Sequence, residues 1–135
     1  MASQEKRVWN GLSFELVCLE HIRQIKRALG ISGIQTTEHA WRRKGTENRE
    51  GAQIDLLIHR ADKAVNICEM KYSTEAYEIS DAEGEKLRHR RQAYIEDEQF
   101  KGSAFITMVS PYGVMHNAQW NSIQSEVTLE DLFQI

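Results

Sequence analysis

The chain of 135 residues is short of several things that would place it quickly. Two cysteines, Cys18 and Cys68, are too few for a disulfide framework, and no Cys/His cluster has zinc spacing. Each lies inside an apolar run, which predicts a buried core thiol. One proline, no repeat and no low-complexity tract leave no internal linker. No stretch approaches the roughly 20 apolar residues of a membrane span, and Met1–Arg7 lacks the apolar segment of a signal peptide, so a cytoplasmic protein without a membrane partner is expected. A basic surplus is missing as well. Lys and Arg number 17 against 20 Asp and Glu, a net charge of −3 that argues at first against a nucleic-acid partner. The average hides an uneven distribution: residues 1–50 hold nine basic against six acidic residues, and residues 51–135 hold eight against fourteen.

What is present is a hydrophobic fraction of 41%, enough for one domain that buries roughly two thirds of its unfolded surface. A single domain over 1–135 is expected, with residues 1–8 as a flexible extension. Phe14, Val17, Cys18, Ile22, Ile25, Ala28 and Leu29 recur at helical spacing and predict an amphipathic helix over Trp9–Leu29, stopped by Gly30. Glu15 falls at the margin of that apolar stripe, and Glu20 on the opposite face. A strand over Ile34–Trp41 and a charged loop over Arg42–Glu50 follow. Ala52–Ile58 and Val65–Tyr72 then read as two apolar strands of a hairpin turning near Ala61–Lys63. A helix over Asp81–Gln99 and a buried strand over Ala104–Val109 come next. The C-terminal stretch reads as a turn near Asn117–Asn121, a strand around Ile123–Val127 and a helical turn opening at Thr128. The order α-β-β-β-α-β-(β)-α is that of an α/β domain.

Acids inside apolar strands carry the chemical information, because an uncompensated carboxylate there costs several kcal/mol. Asp55 stands before Leu56-Leu57-Ile58, and Glu69 stands between Cys68 and Met70. Strand alternation puts Gln53 with Asp55 and Glu69 with Lys71. With a loop of three residues, Ala61–Lys63, Asp55 faces Glu69 and Gln53 faces Lys71. Two carboxylates so close repel unless they share a proton or a divalent cation. Asp55 and Glu69 are therefore the expected ligands of Mg²⁺ or Mn²⁺, with the Met70 backbone carbonyl as a third and Glu15 as a further one. The ion acidifies a water, Lys71 orients or deprotonates that water or neutralises charge on the phosphate, and Gln53 contacts either.

Gly51-Ala52-Gln53-Ile54-Asp55, followed after a turn by Ile67-Cys68-Glu69-Met70-Lys71, resembles the signature of the PD-(D/E)xK nuclease superfamily, with Ile54 in place of its proline. More narrowly, Trp9–Glu15, Leu29-Gly30-Ile31, Cys68–Ser73 and Val127–Phe133 resemble the C-terminal nuclease-like domain of a prokaryotic and archaeal-type AAA ATPase family, in which a P-loop module precedes it. The resemblance spans Trp9 to Phe133. It implies a restriction-endonuclease-like α/β fold, with an α-β-β-β-α-β core in which a central mixed sheet is flanked by helices. It also implies divalent-metal-dependent endonuclease hydrolysis of DNA. The chain holds no G-x-x-x-x-G-K-[ST] loop, so an ATPase module is an expected partner in cis or trans.

Arg42, Arg43 and Lys44 lie in the loop before the hairpin, where phosphate contacts are geometrically reasonable. The basic turn Lys86–Arg91 usually marks a solvated helix face. In the resembled superfamily the helix after the E-x-K strand often lends a basic or amide residue to the site, which points to Arg88 or Gln92. His21, His39, His59, His89 and His116 share no spacing and read as structural or exposed. The alternative function is a catalytically inactive module of the same fold, docking nucleic acid or protein, without metal binding and with a homodimer among its expectations.

Overall fold

The computed structural model describes residues 3–134, with side chains from residue 10 onward. It is an α/β arrangement in which helices cover a sheet of five strands in the order β1-β2-β3-β4-β5. The strands are β1 (Thr36–Arg43), β2 (Ala52–Arg60), β3 (Ala64–Met70), β4 (Ser103–Val109) and β5 (Ser125–Val127). The sheet is mixed: β1, β2 and β3 run antiparallel to one another, and β4 and β5 join parallel. Helices α1 (Ser3–Glu20) and α2 (Ile22–Ala28) precede the sheet, α3 (Asp81–Asp97) carries the chain from β3 to its parallel neighbour β4, and α4 (Leu129–Leu132) closes it. Among the described residues no helix is long and apolar enough to cross a membrane.

The expected first helix is broken in two at His21. Its backbone N–H turns back to the Cys18 carbonyl, its Nδ1 lies 2.7 Å from the Val17 carbonyl, and its ring meets Phe133 edge-on at 5.0 Å. The expected stop is in place: Gly30 has φ of +72°, and the Ile31 N–H reaches the Lys26 carbonyl at 2.9 Å, closing a Schellman motif. The extension expected over residues 1–8 falls partly outside the described residues, and α1 begins at Ser3. At the other end Thr128 and Asp131 form the expected capping box of α4.

One face of the sheet packs Leu56, Ile58, Cys68, Val109 and Val127 against Phe14, Cys18, Ile25 and Leu132. The other packs Trp41, Ile54, Leu57, Val65 and Ile67 against Ala93 and Tyr94 of α3, with Ile106 and Met108 meeting Leu87 beside them. Both cysteines are buried and unbonded, as expected. Burial pushes the Cys18 thiol up to about 12 and the Cys68 thiol higher still, so neither offers a reactive thiolate.

Two details of β2 position the site. The β2–β3 pairing runs Leu56↔Cys68, Ile58↔Asn66 and Arg60↔Ala64 around the three-residue loop Ala61–Lys63, whose Lys63 takes φ of +65°. That is the expected register. Against β1, however, His39 pairs with Leu57 whereas Trp41 pairs with Ile54, so Asp55 and Leu56 together oppose Ala40. This is a β-bulge, with the extra residue on β2. It reverses the alternation across Asp55: Ile54 and Leu57, three positions apart, both face α3.

Candidate metal and catalytic site

Glu15, Asp55, Glu69 and Lys71 come from α1, β2, the end of β3 and the residue after it, and the fold brings them within electrostatic reach of one another. Glu15 lies one turn before Cys18, so the packing of Phe14 and Cys18 on the sheet holds its half-buried carboxylate at the edge of the core. Asp55 is exposed beside the bulge and accepts a hydrogen bond from Gln53 Nε2 at 2.9 Å. Glu69 is largely buried, its side chain 12% exposed, and accepts from Arg90 Nη1 at 2.8 Å.

The pairing of Asp55 with Glu69 and Gln53 with Lys71 across the ladder does not form. The β2–β3 ladder ends at Leu56↔Cys68. Beyond it β3 follows β4, with Met70 opposite Val109 and the Lys71 N–H donating to the Val109 carbonyl at 2.8 Å. The β2–β3 ladder thus stops one residue short of both acids, beside the bulge on β2. Ladder alternation then turns the Met70 carbonyl away from β4, toward the side of β2.

The electrostatics are those of buried acids with a charged neighbour on either side of the balance. Burial raises the Glu15 carboxyl above its ordinary value, Asp55 raises it further, and Lys71 opposes both. Burial also dominates Glu69 and raises it, with Arg90 and Lys71 pulling it back and Asp55 adding to the rise. A carboxyl raised in the folded state binds its proton more readily there than in the unfolded chain. Its ionisation therefore weakens the fold as pH rises from the unfolded-state value through the folded one, and the deficit persists at neutral pH. Glu69→Gln, which keeps an acceptor for Arg90, is expected to raise the melting temperature at pH 7. That gain fades as the pH is lowered through the Glu69 carboxyl's folded-state titration, which thermal melts at a series of pH values read directly.

The donors in the cluster are all oxygens, the chemistry of a hard cation such as Mg²⁺, which takes one or two carboxylates and retains water. Asp55, Glu69, the Met70 carbonyl and Glu15 fit that pattern. Arg90 already engages Glu69, and among the described residues no three His, Cys, Asp or Glu side chains stand close enough to cage an ion by themselves.

The residues expected to contact nucleic acid divide. Arg42 and Lys44 are exposed and line a groove that reaches Gln53. Arg43 is 7% exposed. It belongs to β1 and shares Trp41's face, where it donates to the Glu50 carbonyl at 2.8 and 3.2 Å and to Asp97 at 3.4 Å. The charged loop begins two residues later than expected, so this guanidinium is structural. Arg88 is also taken, by Gln119 Oε1 at 2.9 Å and Ser122 Oγ at 3.2 Å in the 3-10 turn Ala118–Ser122. Gln92 donates along the exposed helix to Glu96 at 3.1 Å. The α3 residue that reaches Glu69 is Arg90. The signal that finds it is the phase of α3: Leu87, Ala93 and Tyr94 face the sheet, and Arg90 lies between them on that side. No family model, curated protein or solved structure matches the chain.

Proposed function

We propose that the protein is a divalent-metal-dependent nuclease that hydrolyses DNA phosphodiester bonds, built on a restriction-endonuclease-like fold and serving an ATPase module in cis or trans. One observation carries the reading. Three separate elements place acids and a lysine within electrostatic reach beside a bulge: Glu15 and Glu69, each raised by burial, are both raised further by Asp55 and both opposed by Lys71. The architecture supports it: a hairpin bearing Asp55 and Glu69, then a helix crossing to a parallel strand, in a mixed sheet.

In this reading Asp55, Glu69 and the Met70 carbonyl hold Mg²⁺ or Mn²⁺, with Glu15 alongside. When bound, the ion polarises the phosphate and acidifies water. Lys71 orients the attacking water, or takes its proton, and then faces the charge that develops on the phosphate oxygens. Gln53, fixed by its bond to Asp55, presents its amide to that water or to the phosphate. Attack forms one P–O bond and breaks another, leaving a phosphate end and a hydroxyl end.

The test pairs chemistry with binding. Supercoiled, linear duplex and single-stranded DNA are incubated with the protein and Mg²⁺ or Mn²⁺, and cleavage that a chelator abolishes is expected. Mn²⁺ at about 100 times its Kd stabilises the fold by roughly 2.7 kcal/mol, a shift in Tm that Asp55→Ala removes. Intact DNA together with an unmoved Tm overturns the reading. The Arg90–Glu69 ion pair favours a second one, an inactive docking module in which Arg90 stands permanently in the cation's place.

A further inference from the structure

A groove of about 810 Å³ opens between the β1–β2 loop and α3. Arg42 and Lys44 line it from the end of β1, Gln53 from the start of β2, and Lys86, His89 and Arg90 from α3. The three α3 residues fall at i, i+3 and i+4, one side of the helix. Arg42, Lys44 and Lys86 have no hydrogen-bond or ion-pair partner among the described residues, whereas Arg43, Arg49, Arg88 and Arg90 all do. Glu50 is the acid on the lining, and its exposed carboxylate lies 3.7 Å from His89.

The walls are braced. Arg49 and Arg43 tie the loop to Asp97 at 2.9 and 3.4 Å, and Trp41 Nε1 donates to Glu98 at 2.8 Å. At the stem, a Cβ on Gly51 would stand 2.9 Å from the Gly45 nitrogen and 3.0 Å from the Arg43 carbonyl. The two loop strands meet there backbone to backbone, and this part of the wall is free of side chains. Unpaired cations gathered in one concavity raise its potential and draw anions. The groove also leads somewhere, because two of its lining residues, Gln53 and Arg90, are the ones bonded to Asp55 and Glu69.

We propose that this groove is the track for the sugar–phosphate backbone of a DNA strand. Arg42, Lys44 and Lys86 hold phosphates to one side of the bond presented to Asp55 and Glu69, and Arg90 passes from Glu69 to the phosphate nearest them. This role rests on the nuclease reading of the carboxylate site.

The experiment measures binding by fluorescence anisotropy of labelled duplex and single-stranded oligonucleotides in Ca²⁺, and cleavage separately in Mn²⁺. The full-length triple variant Arg42→Gln, Lys44→Gln, Lys86→Gln is expected to keep its Tm, since the three side chains hold nothing. It is expected to lose at least about tenfold in affinity, and its plot of log K against log salt becomes shallower by roughly two to three. Lys86→Glu alone shows a smaller loss in the same direction. A triple variant that binds like the parent, while the parent still cleaves, overturns the track and leaves the nuclease reading standing. A parent that leaves DNA uncut and shows no Mn²⁺ shift, beside a triple variant that still loses affinity, overturns the nuclease reading and keeps the groove as a DNA site. Tighter binding of RNA of the same sequence overturns the assignment to DNA.

Discussion

Asp55→Asn is expected to lower the single-turnover rate of DNA cleavage by about 10³-fold, or about 4 kcal/mol of transition-state stabilisation. Its carboxylate is exposed and bonded only to Gln53 among the described residues, so the stability stays within about 1 kcal/mol of the parent's. The separation of the two readouts matters. A residue that serves the fold loses stability and activity together, whereas one that serves chemistry loses activity alone. Glu69→Gln makes the contrast sharper, because it is expected to remove activity while raising stability, the trade-off of a strained functional group. Asp55→Asn protein that cleaves within threefold of the parent removes Asp55 from the chemistry.

Arg43→Met is expected to destabilise the protein by about 2–3 kcal/mol. The methionine keeps the aliphatic stem beside Trp41. It abandons the Glu50 carbonyl and leaves Asp97 with only the more exposed Arg49. Urea denaturation registers this as a lower midpoint with an unchanged slope. Arg42→Ala, one residue away on the exposed face, stays within about 0.5 kcal/mol. Had Arg43 been a phosphate ligand alone, the two variants would melt alike and both lose DNA affinity.

The hairpin was the most legible part of the fold. Three turn residues between two apolar runs fix the register by arithmetic, and Leu56↔Cys68 lies where that arithmetic puts it. Glu15 was legible from helical phase for the same kind of reason. The bulge was not: Leu56-Leu57-Ile58 is apolar throughout, so it carries no alternation from which a skipped residue shows. That omission produced the expected Asp55–Glu69 ladder pair, which the end of the ladder denies. Arg43 was misassigned because Arg42-Arg43-Lys44 has no polarity contrast to mark where β1 ends. Arg90 was missed in favour of Arg88 because five of the six residues Lys86–Arg91 are Lys, Arg or His. A uniformly basic run has no phase of its own, and the phase comes from Leu87, Ala93 and Tyr94, which are buried together.

On the proposed reading, with a cation at the carboxylates and a phosphate in the groove, the Arg90–Glu69 pair would also set a thermodynamic linkage. A cation arriving at Glu69 competes with a guanidinium already there, so its apparent affinity is the intrinsic one scaled by the fraction of molecules in which Arg90 has let go. Anything that captures Arg90 from the groove side increases that fraction and tightens cation binding. Reciprocity requires the cation to tighten the anion's hold by the same factor. On that reading a single shared side chain would make the two occupants cooperative, and in their absence Arg90 remains paired with the buried carboxylate.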